Sequence, residues 1–171
     1  MYGTPLVFSK ISTNQQTVTV SGIPNSYKHL IIIWTARTTD TIHGPQTRWT
    51  WNDTQVSSGS NWAAFGAESG VTFAASYGPE GDFRQRAITR DEFPVGSFCI
   101  YRAVVPNYST TSVTKALLTS TTQLWAGPTN APSALIMANC LNTTSTLSSI
   151  KFGTNQGPYK TGSLFAVYGV S

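Results

Sequence analysis

Apolar residues in this chain recur at every second position or run unbroken for four or five residues. No stretch of eleven or more holds a 3.6-residue period. A helix needs that longer period to bury one stripe of its surface, so helices are not expected to build the core. The short runs are "LVFSKI", "QTVTVSGI", "KHLIIIWTAR", "TRWTWND", "SFCIYRAVVP", "SVTKALLTST", "SALIMANCL", "LSSIKF" and "SLFAVYGV", separated by Gly, Pro and Asn every ten or so residues. Short strands at that spacing read as an all-β sandwich or barrel. The spacing predicts a single domain over 1–171, an antiparallel β-sandwich of jelly-roll type with eight to ten strands.

Two runs make stronger statements. Leu30 to Trp34 is continuously apolar, which suits a central strand covered on both faces, by the opposite sheet and by a loop or a partner subunit. The run from Leu164 to Val170 puts Phe165 and Val167 on one face and Leu164, Ala166, Tyr168 and Val170 on the other. Both faces are apolar, so it reads as an inner strand paired with a neighbour near the N-terminus, with Gly169 easing its end. Trp49 and Trp51 share one face of their strand, which points to burial. Residues 55 to 96 are different: rich in Gly and Ser, with "YGPEGD" and only brief strand-like pieces at Val71 to Ala75 and Phe83 to Ile88. Long loop excursions are expected there, and loops of that length are where a partner is met. Trp62, Phe65, Phe83 and Arg84 are the candidate partner-contact residues, since aromatics and arginines dominate binding energy at interfaces.

The inventory for chemistry is thin. Charged residues make up 11% of the chain, well under half the ~25% usual for soluble domains. The seven carboxylates include the neighbours Asp91 and Glu92, which a strand would point to opposite faces. Glu80 and Asp82 flank a glycine in a turn, the usual place for solvated acids. His29 enters the strongest strand and reads as a strand-edge residue with a satisfied hydrogen bond; His43 lies in "TIHGP". There is no nucleophile elbow, phosphate loop, dinucleotide fingerprint or zinc spacing. No catalytic residue, cofactor or metal is therefore expected, and the chain does not read as an enzyme.

The net charge of +4 comes from 11 basic residues against 7 acidic ones. The densest basic stretch, Arg84, Arg86 and Arg90, is diluted by Asp82, Asp91 and Glu92, so no nucleic-acid partner is expected. "MYGTPLVFSK" lacks the build of a signal peptide, and no apolar run approaches the ~20 residues that span a bilayer. Cys99 and Cys140 lie in apolar strand-like surroundings, where free thiols act as small hydrophobes. They could pair only if their strands are neighbours. Five Trp and seven Tyr could also stack on sugars; burial in a core or an oligomer interface is the simpler use.

Four segments in order carry a resemblance. "SGIPNSYKHLIIIWTAR" is a strand, an Ile-Pro turn with Tyr27, then His29 and a strand ending in Ala36-Arg37. "RWTWNDT" follows, then "VPNYSTTSVTKAL" with Pro106, Asn107, Tyr108 and Lys115, and finally "LSSIKF" and "GSLFAVYGV". Over about 16 to 54 and 101 to 170 the chain resembles the small β-sandwich structural proteins of tailed bacteriophages, well represented in marine and freshwater phages. The resemblance implies a non-enzymatic virion component made in the host bacterial cytoplasm. Its partners would be the major capsid protein or other virion proteins, and it would be homo-oligomeric, with a trimer favoured. Capsid decoration or cementing is the first expectation. A tail or appendage component that recognises host surface glycans is the alternative.

Overall fold

Alternation along the chain becomes twelve strands, and the described residues contain no helix. The strands are β1 (Val7–Lys10), β2 (Thr17–Ser21), β3 (His29–Ala36), β4 (Thr47–Trp51), β5 (Ser60–Glu68) and β6 (Val71–Glu80), followed by β7 (Phe83–Gln85), β8 (Cys99–Pro106), β9 (Lys115–Leu124), β10 (Pro132–Leu141), β11 (Ser149–Thr154) and β12 (Leu164–Val170). This computed structural model describes residues 5–41, 47–52, 60–68, 71–80, 83–85, 98–124, 132–141 and 143–171. In β5, β6 and β7 the description is of the backbone, apart from Phe65 and Gly66.

All pairings are antiparallel, and four of them nest: β1 with β12, β2 with β11, β3 with β8, and β4 with β7. Early strands pair with late ones, as when one long hairpin is rolled up. The strands divide between an eight-stranded sheet, β1-β12-β3-β8-β9-β10-β5-β6, and a four-stranded sheet, β2-β11-β4-β7. Eight strands make the jelly roll expected from the sequence. The other four are two hairpins, β5–β6 and β9–β10, added beyond β8 on the large sheet. They raise the count above the eight to ten strands expected.

One expectation is corrected. The composition of residues 55 to 96 predicts loop excursions, but strands β5, β6 and β7 occupy much of that span. Ala63, Ala64, Gly66, Ala67, Ala74 and Ala75 have little strand propensity of their own. Extension is imposed by the ladder that β10 offers, Ser133 to Asn139 pairing with Glu68 to Trp62. Gly66 marks how close that approach is, since a Cβ there would lie 2.5 Å from the Ala134 carbonyl oxygen.

The core lies between the four-stranded sheet and the roll strands of the large one. Leu30, Ile32 and Trp34 of β3, Tyr101 and Ala103 of β8, and Phe165 and Val167 of β12 face Val18, Val20, Trp49, Trp51, Ile150 and Phe152. Trp34 is the centre, stacked on Tyr101 at 4.6 Å and meeting the edge of Trp49 at 4.5 Å. Phe152 then joins Phe165 at 4.8 Å. Such offset and edge-on contacts suit the ring quadrupoles and lock one packing arrangement. Trp49 and Trp51 are buried, as their shared face predicts.

Strand β12 lies between β1 and β3, so the closing run is an inner strand with an N-terminal neighbour. Gly169 has a more specific reason than easing the strand's end. The Tyr27 ring lies across it, and a Cβ would come within 2.3 Å of that ring.

Candidate functional site: the outer face of the large sheet

The strands of the large sheet carry one set of side chains into the core and the other set outward, so register decides what the outer face presents. One row across it reads Phe8, Ala166, Ile33, Arg102, Ser120, Ile136 and Phe65 on successive strands from β1 to β5. The next row reads Lys10, Leu164, Thr35, Ile100, Thr122 and Ala134. On the other side lie Tyr168, Ile31, Val104, Leu118 and Ala138. A solvent-facing sheet surface normally alternates to polar residues. This one does not: Phe8, Phe65, Ile100, Leu118 and Ile136 are each between 52% and 63% exposed. Lys10 and Arg102 are the charged members among these rows.

The face is not flat. Ser120 and Thr122 on β9 and Ala134 on β10 are short, while Ile100, Arg102 and Ile136 around them are long. Together they leave a hollow of about 200 Å³. Its walls are apolar apart from hydroxyls and the Arg102 guanidinium, so it fits a hydrophobic side chain better than a polar ligand.

Residues that carried the resemblance converge at one end of the sandwich. The backbone N–H of Asn107 donates to His29 Nδ1 at 3.2 Å, the satisfied strand-edge histidine expected from sequence. Tyr108 is fully buried and donates its hydroxyl to the Pro24 carbonyl. Lys115, also fully buried, directs its ammonium at the carbonyls of Asn107 (3.2 Å), Thr110 and Val113 (3.4 Å). Asn52, at a positive φ of 51°, accepts from the Ser148 and Ser149 amides at 2.8 and 3.1 Å and donates to the Thr146 carbonyl at 2.7 Å. These polar groups tie turns together and are saturated by backbone partners. Burial pushes the Lys115 ammonium below its ordinary range and the Tyr101, Tyr108 and Tyr159 phenols above theirs.

Of the four candidate contact residues, Trp62 and Phe65 share β5, and Phe83 and Arg84 belong to β7 in the other sheet. Phe65 joins the apolar face; the side chains of Trp62, Phe83 and Arg84 lie outside the described residues, as does His43. Sequence reasoning missed Phe8, Ile100, Leu118 and Ile136. Their signal was present, since apolar residues occupy both parities of "SFCIYRAVVP", "TKALLTS" and "SALIMANC". Cys99 is buried and Cys140 exposed, both are free thiols, and β9 separates their strands. Among the described residues no group of His, Cys, Asp or Glu could hold a metal ion, and no helix is long and apolar enough to cross a membrane. Compared with protein-family models, curated proteins and solved structures, the chain matches none.

Proposed function

We propose that the chain is a non-enzymatic structural protein of a bacteriophage virion, a decoration or cement protein that binds the outer capsid shell and stabilises it. The observation that carries this reading is the apolar, charge-poor outer face of the eight-stranded sheet. Patches of that extent mark interaction surfaces, so the molecule works by assembling with others. The virion setting rests on the four-segment resemblance and, by analogy of fold alone, on the jelly roll, an architecture recurrent in viral shells. Shell contact is assigned to β5, β6 and β7. Among the described strands, β6 ends the large sheet and β7 ends the small one, positions at which a partner could add to a sheet.

The test is copy number per particle by quantitative mass spectrometry of purified virions. Several hundred copies are expected, with particles lacking the protein releasing their genome at lower temperature. A few to a few dozen copies would sink the decoration reading and favour a tail or appendage component. In that case retention on a glycan array, lost in Trp62→Ala, would assign host recognition.

A further inference from the structure

We infer that the outer face of the eight-stranded sheet binds a second copy of this chain, about a two-fold axis running along β3 that seats Phe8 of each copy in the other's hollow. Register carries the argument. Rotation about an axis parallel to β3 exchanges β1 with β9 and β12 with β8, and leaves position along the strands unchanged. Phe8 and Ser120 occupy the same row, four strands apart, so Phe8 of one copy falls over the second copy's Ser120. Ser120 is on the floor of the hollow, and Arg102 at its rim can meet the incoming ring through its guanidinium.

The rest of the overlap is complementary in the same operation. Leu164 comes opposite Ile100, and Tyr168 opposite Val104. Ile33, half-buried on the axis, meets its own counterpart, while Ile31 beside it is already buried. Lys10 faces Thr122 and Arg102 faces Ala166, so neither cation meets a like charge. The overlapping strands, β1, β12, β3, β8 and β9, span about 24 Å by about 20 Å. Two copies would bury roughly 1,000 Å² in total before side-chain relief is counted, the size at which interfaces become specific. Charge is too sparse on this face to select a foreign partner by electrostatic complementarity. Ile136 walls the hollow beside the incoming Phe8, while Phe65 falls outside the overlap and stays free for other contacts.

Self-association of the isolated protein does not depend on the virion reading: copy number tests one, sedimentation the other. Sedimentation velocity of the full chain at ~100 µM should give a dimer or a multiple of one. Phe8→Lys and Ser120→Trp, one removing the knob and the other filling the hollow, should each weaken association by about tenfold or more. Both sites are on the surface of the fold, so melting of the dilute protein is expected to be unchanged. Phe65→Ser should leave the dimer intact. A wild-type monomer at that concentration, or the trimer that the resemblance favours, overturns the inference, even if the protein binds capsids. So does a dimer indifferent to both variants, or one dissolved by Phe65→Ser alone.

Discussion

Lys115 shows at the scale of one residue how a polar side chain can serve the fold alone. Its ammonium is taken out of water, at a desolvation cost that the carbonyls of Asn107, Thr110 and Val113 offset. Lys115→Met fits the apolar stem but strips those carbonyls of their donor. A loss of about 3 kcal/mol is expected, since each orphaned buried acceptor costs 1–3 kcal/mol. Calorimetry should record a fall in Tm of roughly 6–12 °C for a domain of this size. Lys115→Arg should not rescue it, because a planar fork cannot converge on three separate turn carbonyls. An unchanged Tm would mean that the turn is held by its other bonds. Gly169 teaches a related point: the sequence shows a glycine in a strand, but only the fold shows that Tyr27, 142 residues earlier, is what excludes a Cβ.

Elements divide into those that make the roll and those added to it. Among the described residues, the central aromatic cluster and its neighbours come from β2, β3, β4, β8, β11 and β12, with Leu117 from β9 and Ile11, Ile23, Tyr108, Leu147 and Tyr159 from the connections. Among the described residues, the ladders of β5 and β6 run to β10 and to each other. Replacing residues 55–80 by a short Gly/Ser linker is therefore expected to leave a cooperative melting transition. The near-ultraviolet circular dichroism of the Trp34, Trp49 and Tyr101 cluster should also persist. Loss of that signal would show that the hairpin is integral to the core. This is also where the sequence was least legible. The roll strands could be read because Val, Ile and aromatic residues alternate in them. The small residues of β5 take their extension from β10, a tertiary cause with no local trace beyond Gly66.

For the whole molecule, buried phenols couple stability to pH. Tyr101, Tyr108 and Tyr159 all have their pKa raised by burial, so the folded chain keeps protons that the unfolded chain gives up. Where the unfolded state binds fewer protons, stability falls as pH rises. Their contribution is intact below the ordinary tyrosine value, near 10, and is lost progressively above it. Lys115 is shifted downward and works the other way, but over the range below its ordinary value of about 10.4, largely before the phenols begin to titrate. Tm should stay level up to about pH 9 and fall above about pH 10. A level Tm through about pH 11.5 would contradict the burial of these phenols.

By itself the sequence determined the class of fold, the closing strand's place inside a sheet and the burial of Trp49 and Trp51. Each follows from the two-residue period of a strand, which is a local property. Only the tertiary structure decided that four extra strands widen one sheet, and that its outer face is apolar from β1 to β5. Whether the outward half of an alternating pattern is covered depends on which strands become neighbours and on what packs over them. Those partners come from opposite ends of the chain, beyond the reach of any local pattern.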